Sequence, residues 1–326
     1  MQDPQQLLRA FEAYGEQQNF KREPEGLYTP IDYIMSSGGK RLRPLLSLMG
    51  AHLFSARPAE ALPVAMAVEI FHNFSLVHDD IMDEAPLRRG RPSVHELYGL
   101  NAGILSGDAM LILAYEYLSR AGSDAAASGQ LLRLFNEVAL EVCEGQQYDM
   151  EFESRNDVTI EEYLRMIELK TAALIGGSLQ MGAVAVGAPE ADARQLRQFG
   201  RGIGVAFQLQ DDMLDTFGDP ERFGKRVGGD IVQNKKTFLI LKAQQLAKGA
   251  DARRLQELMQ SHPEDEQAKV EEVTALLRSL HIPEWAAEQK QTFQNQAFAA
   301  LAAVNTPEDR KVPLRELAEQ LLERQA

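Results

Sequence analysis

Long, unbroken helical periodicity is the feature that most constrains this chain. The segment PVAMAVEIFHNFSLVHDDIMD (63–83) shows no alternating pattern and no Gly or Pro after Pro63. A proline is tolerated in a first helical turn, where its missing N–H has no partner anyway. NAGILSGDAMLILAYEYLSRA (101–121), ASGQLLRLFNEVALEVCEGQQYDMEFE (127–153) and ADARQLRQFGRGIGVAFQLQDDMLDTFGD (191–219) read the same way. TIEEYLRMIELKTAALIGGSLQMGAVAVG (159–187) opens with Thr159 and Glu162 at capping-box spacing. In the C-terminal third, EDEQAKVEEVTALLRSL, EWAAEQKQTFQNQAFAALAAV and PLRELAEQLLERQ are amphipathic helices with charged outer faces. No convincing run of alternating strands, fixed-period repeat or low-complexity linker interrupts them, and AGSDAAASG and QSHPEDE are short enough to be inter-helix loops. The expectation is a single all-α domain over residues 1–326, with roughly ten or more helices.

Composition narrows the function classes. With 44% hydrophobic and 25% charged residues, the 326-residue chain is that of an ordinary soluble globular protein. A formal net charge of -14 argues against a nucleic-acid binder, which carries a basic face. The lone cysteine, Cys143, allows neither an internal disulfide nor a cysteine-rich zinc site, which fits a reducing, cytoplasmic setting. The opening MQDPQQLLRAFEAYGEQQ lacks a basic start followed by an apolar run, so no signal peptide is read. No stretch approaches ~18 uninterrupted apolar residues, so no membrane span is expected.

The apolar helix of 63–83 ends in Asp79, Asp80 and Asp83, and FQLQDDMLD repeats the same D-D-x-x-D spacing as Asp211, Asp212 and Asp215. On a helix, i and i+4 stack and i+1 lies about 100° around, so each motif sets its first and third carboxylates on one edge, flanked by the second. Like charges at i, i+4 destabilise a helix unless a cation neutralises them. Mg²⁺ suits this pattern: it takes hard oxygen ligands, one or two carboxylates per ion, and keeps waters or phosphate oxygens elsewhere. Two such edges facing across a cavity would hold several Mg²⁺ ions, and the ions a diphosphate. One such motif alone is as well read as a solvated helix end; two, each after an apolar helix, are harder to read that way. The glycine-containing pattern of a calcium loop is absent.

Basic groups accompany the acidic ones. SSGGKRLRP (36–44) carries Lys40, Arg41 and Arg43, Arg88 and Arg89 follow the first motif, and FGKRVGGDIVQNKKT (223–237) carries Lys225, Arg226, Lys235 and Lys236. Singly these are solvated charge runs. Together they suggest two anion sites, one held through metal and one held directly by Lys and Arg.

With these residues in view, the chain resembles the trans-isoprenyl diphosphate synthases, or polyprenyl synthetases. The paired DDxxD motifs and the GGKRLRP, FQxQDD and GGD-x-x-x-N-K segments carry the resemblance across residues 36 to about 237. It implies an isoprenoid-synthase barrel of helices around a deep central cavity, a homodimer, and head-to-tail 1'-4 condensation of an allylic diphosphate (dimethylallyl, geranyl or farnesyl) with isopentenyl diphosphate. It implies Mg²⁺, roughly three ions with substrate bound, ligated by Asp79, Asp83 and Asp211 and supported by Asp80, Asp212 and Asp215. By the same resemblance Lys40, Arg43, His72 and Arg89 match the isopentenyl diphosphate site. Arg88, Lys170, Lys225 and Lys235 match groups touching the allylic diphosphate, and Thr171 and Gln208 match polar groups beside the reacting carbons. His72 also fits a core histidine, and His78 and His95 are read as structural. Lys170 lies on an apolar helix face, where a lysine needs an anion partner or must snorkel.

Chain length should be decided before Asp79. At ~1.5 Å per residue, Phe74 lies roughly 7–8 Å and Phe71 roughly 12 Å down the helix from it, on a shared face. In the family a bulky residue at the Phe74 position floors the product pocket. Ser75 is small, and the first motif lacks the two-residue insertion of many bacterial farnesyl synthases. These features favour C20 geranylgeranyl diphosphate, with C15 farnesyl diphosphate next. The rivals are a class I terpene cyclase, which needs no isopentenyl site, and a non-catalytic partner subunit, which usually loses acidic motifs.

Overall fold

The computed structural model describes residues 3–122, 125–218, 227–261, 263 and 265–323. Lys225 and Arg226 lie outside the described residues.

The helices are α1 (Pro4–Glu16), α2 (Glu25–Met35), α3 (Leu42–Phe54), α4 (Leu62–Met82), α5 (Val94–Tyr98), α6 (Leu100–Leu118), α7 (Ala125–Ser154), α8 (Ile160–Ile167), α9 (Ala173–Ala185) and α10 (Glu190–Phe217), and the stretches read as helical between 63 and 219 fall in α4 and α6 to α10. The C-terminal third adds Gly229–Val232, Phe238–Leu246, Gly249–Leu258, Glu266–Ser279, Ile282–Ala303 and Glu308–Leu322. The capping box at α8 forms as its spacing predicts, with Thr159 and Glu162 satisfying each other's backbone N–H groups.

Two features depart from the all-helical expectation. Leu87–Arg88 (β1) and Arg91–Pro92 (β2) pair antiparallel, Leu87 opposite Pro92 and Arg88 opposite Arg91. Arg89 (φ 54) and Gly90 (φ 74) form the two-residue loop. Positive φ at both positions matches the twist of a tight hairpin. Two residues per strand are too few to show alternation in sequence. The second departure splits the stretch 159–187: Glu168–Ala172 is a turn of π-helix between α8 and α9. Such one-turn bulges add a residue to the helix and re-aim its side chains.

Contacts group the chain into two compact units. The first takes 1–138, 174–197 and 304–313; the second takes 139–173, 198–303 and 314–326. In the first, α4 is the central helix, with Val64, Met66, Val68, Ile70 and Phe71 at most 1% exposed. With the 3₁₀ turn before it, α4 is long and apolar enough to cross a membrane by length and composition, but 67% of that window is buried inside the protein, as suits a core helix. α3 packs so closely on α9 that a Cβ at Gly50 or Gly182 would overlap the backbone of Leu179 or Ser47. In the second unit, Tyr163, Ile167, Val205, Leu209, Phe238 and Leu277 belong to one buried apolar cluster.

Candidate active site

In the first unit the acidic motif closes α4. Asp83 caps the helix, its N–H donating to Asp79 O at 2.9 Å, and its side chain is exposed. Asp80 points inward and is 0% exposed. The hairpin returns Arg88 to it: Arg88 Nε donates to Asp80 Oδ1 at 2.9 Å and Nη2 donates to the same oxygen. Arg88 Nη2 also lies 3.7 Å from Asp79 Oδ2. Burial raises the Asp80 pKa above the ordinary carboxyl value, against the pull of Arg88. Asp80 Oδ2 is buried and accepts no hydrogen bond among the described residues.

Beside it stands a cluster of arginines. Arg41, in the left-handed region at φ 48, pairs with buried Glu69, and its Nη2 donates to Met35 O at 2.6 Å. Glu69 also accepts from Asn73 Nδ2 at 3.0 Å. Arg43 Nη1 lies 3.2 Å from His72 Nε2. A guanidinium has no acceptor, so Nε2 must accept and the proton is assigned to Nδ1. Burial, then the charges of Arg43, Arg89, Arg88 and Arg41, hold the His72 pKa well below its ordinary value. Burial likewise brings Arg43 down to about 10. Arg89 donates to Gly38 O, and a Cβ at Gly39 would stand 2.9 Å from its guanidinium carbon. Glycine at 39 is required by φ 123, and a Cβ there would displace the Arg89 guanidinium. Lys40 is exposed beside it. The predicted Lys40, Arg43, His72 and Arg89 all sit in this unit. His78 Nε2 donates to Ile104 O at 3.1 Å and meets the Phe74 ring edge-on, while His95 lies 3.3 Å from Ser93 Oγ.

In the second unit the middle aspartate is again buried, with a different partner. Asp212, 3% exposed, accepts from the Tyr163 hydroxyl and from Gln208 Nε2 at 3.2 Å. Burial first, then the nearby charge of Asp230, pushes its pKa up to about 7. Asp215 accepts from Asp230 N at 3.0 Å, and its carbonyl accepts from Gly228 N at 2.6 Å, so it fastens the segment that follows. Lys235 Nζ is 4.0 Å from Asp230 Oδ1. Asp211 is half-buried.

The π turn presents the remaining residues. A Cβ at Gly145 of α7 would overlap the Lys170 backbone, so glycine lets the bulge pack directly on α7. Lys170 Nζ reaches Asp149 Oδ2 at 2.5 Å, the anion partner an apolar face demands. Thr171 Oγ1 donates to Gln208 Oε1 at 3.4 Å. Sequence reasoning missed Glu69, Asp149, Tyr163 and Asp230. Only Glu69 left a signal, as a carboxylate one turn before Asn73 in an otherwise apolar stretch of α4.

These donors fit Mg²⁺. They are carboxylates without imidazole or thiolate, and Asp80 leaves a buried oxygen unpartnered. Among the described residues no three acidic, histidine or cysteine side chains form a ready-made metal cluster. An ion that takes one or two carboxylates and completes its shell with phosphate oxygens matches that arrangement.

Comparison with known proteins places the chain. The fold is that of helical prenyl synthases: a crystal structure of a geranylgeranyl pyrophosphate synthase matches with a TM-score of 0.93 and 42% identity, over 100% of both chains. The family model for polyprenyl synthetase matches residues 24–277, and the chain belongs to that family. A short chain isoprenyl diphosphate synthase of Methanothermobacter thermautotrophicus is 42% identical over 241 residues, covering 74% of each chain. A (2E,6E)-farnesyl diphosphate synthase of Mycobacterium bovis is 39% identical over 297 residues, 90% of this chain and 82% of its own length.

Proposed function

We propose that this prenyltransferase condenses isopentenyl diphosphate head to tail with an allylic diphosphate, releases diphosphate, and stops at C20 geranylgeranyl diphosphate, with C15 farnesyl diphosphate the nearest alternative. The observation that carries the reading is the arginine cluster around a neutral His72 in the same unit as the carboxylates ending α4. Cations held together with a histidine that stays uncharged suit a diphosphate bound directly, while the carboxylates suit one bound through metal.

Lys40, Arg43, His72 and Arg89 bind isopentenyl diphosphate. Arg88, Lys170, Lys225 and Lys235 bind the allylic diphosphate. Asp79, Asp83 and Asp211 are the carboxylates that would hold Mg²⁺, which when bound neutralises charge growing on the departing diphosphate. Asp80, Asp212 and Asp215 support them through Arg88, Tyr163 and the Asp230 backbone. Thr171 donates its proton to Gln208 Oε1, and Gln208 donates one amide proton to Asp212, so the oxygens of both side chains keep lone pairs that can stabilise a developing allyl cation. The alkene of isopentenyl diphosphate attacks that cation, and the proton then lost goes to the released diphosphate.

Half-buried Phe74 supports the C20 assignment. Its ring lies 5.5 Å from that of Phe71, which is 1% exposed, and 4.9 Å from that of His78. Ser75 turns its hydroxyl to His72 O at 2.8 Å and adds no bulk to the floor. The outer face of α6 supports a homodimer: Ile104, Leu105 and Ile112 are 42%, 60% and 67% exposed there, more apolar surface than an isolated helix face usually shows water.

The test is an assay of purified protein with Mg²⁺, isopentenyl diphosphate and each of dimethylallyl, geranyl and farnesyl diphosphate, with products dephosphorylated and sized. A C20 end point is expected. Product from an allylic diphosphate alone would favour a cyclase. Phe74→Ala should lengthen the product, and an active Phe74→Ala enzyme with the same distribution would remove Phe74 as the floor.

A further inference from the structure

The helix Glu266–Ser279 lies beyond every motif described above, and it buries a lysine. Lys269 is 2% exposed, and its ammonium donates to two neutral oxygens, Asn234 Oδ1 at 2.5 Å and Ser261 O at 2.9 Å. Asn234 Nδ2 donates to the same Ser261 carbonyl at 3.3 Å, closing a triangle. Burial lowers the ammonium's pKa, Glu266 one turn earlier on the same helix offsets only part of that cost, and packing alone would be better served by methionine.

Its target explains the cost. Asn234 stands just past the short helix Gly229–Val232 with φ 57, in the left-handed region. Lys235 N donates to Asp230 O at 2.9 Å and Asn234 N to Ile231 O at 3.1 Å. Those two bonds define a Schellman turn with Asn234 at the position that glycine usually fills. Asparagine enters this region more readily than other residues with side chains but less readily than glycine, so a held side chain favours the turn. The next residue along is Lys235. The other end of the segment is held by Asp215, through Gly228 N and Asp230 N. The segment carrying Asp230 and Lys235 is thus fastened at its start by the second acidic motif and at its end by Lys269.

We propose that Lys269 is a positioning residue for the allylic diphosphate: by clasping Asn234 in its left-handed turn, it sets where Lys235 stands. The inference rests on reading Lys235 as a ligand of that diphosphate, so the two are tested apart.

Lys235→Met tests the reading; it should raise the KM for geranyl diphosphate, and an unchanged KM would remove both the reading and the inference. Lys269→Met tests the inference, because methionine keeps the stem and the helix propensity but removes the donor. It should raise the KM for geranyl diphosphate on the order of tenfold, the scale of one charged hydrogen bond, with the KM for isopentenyl diphosphate unchanged. A fall in Tm with both KM values unchanged would mean that Lys269 is structural only and would overturn the proposal. Asn234→Ala breaks the clasp from the other side, leaves Lys269 its Ser261 partner, and should show the same split if Lys269→Met does not fold. Asn234→Gly supplies a residue at ease in the turn; in that background Lys269→Met should have little further effect on either KM, and a full effect there would also overturn the proposal.

Discussion

The two DDxxD motifs have the same spacing and the same middle aspartate turned inward, but the two buried carboxylates are compensated differently. Asp80 meets a guanidinium, Arg88, delivered by a hairpin eight residues on. Asp212 meets a phenol and an amide, Tyr163 and Gln208, and among the described residues it pairs with no cation. A buried carboxylate with a cationic partner can stay charged, whereas one with neutral donors holds its proton more tightly, and Asp212 does so up to about pH 7. The same D-D-x-x-D spacing therefore yields a charge pair in one unit and a near-neutral acid in the other.

The largest effects should come from the outer aspartates, where the comparison predicts no difference. On the proposed Mg²⁺ roles of Asp79 and Asp211, Asp79→Asn and Asp211→Asn should each lower kcat by about two to three orders of magnitude, since each would remove a metal carboxylate. Loss of activity in only one of them would make the motifs unequal where they are read as equivalent.

Next come the inner aspartates, where a difference is required. Asp80→Asn removes the partner of Arg88, whose side chain is 28% exposed, and should cost about 2–3 kcal/mol in urea unfolding, less than a fully buried pair because water reaches the guanidinium. Asp212→Asn resembles the protonated acid and should cost at most about 1 kcal/mol. Equal costs would break the comparison.

The pH dependence of stability in EDTA sharpens it. The folded-state pKa of Asp212, about 7, lies above the ordinary carboxyl value, so the native state binds a proton that the unfolded chain has released. The stability this group contributes is complete below about pH 4 and is lost as pH rises through about 7. Asp212→Asn should flatten that part of the Tm profile, and an unaltered slope would place the titration elsewhere. The smallest effect belongs to Tyr163→Phe, which removes one donor to Asp212. It should destabilise by about 1 kcal/mol and shift the same slope to higher pH, because the lost hydrogen bond favoured the charged carboxyl.

The helices were legible because their signals are local. Apolar periodicity and the capping box at Thr159 and Glu162 act within one or two turns. The π turn was not legible, because ELKTA is ordinary helical sequence and the bulge depends on what packs against it, Gly145 among others. The hairpin was missed for its length, although the Arg89–Gly90 pair is its turn. Lys170 sits between these cases: sequence showed that it needed an anion, and the fold named Asp149. Lys269 left no signal, because a lysine in an amphipathic helix reads as a solvated face until its burial is seen.

Sequence by itself determined the all-helical architecture, the family, and the presence of two carboxylate edges on helices, since i, i+4 spacing and residue chemistry need nothing beyond the local chain. Tertiary structure decided what each edge became. Asp80 lies eight residues from its partner and Asp212 forty-nine from its own. Whether a buried carboxylate stays charged depends on which donor the fold brings to it, and that donor's position is a property of packing rather than of spacing.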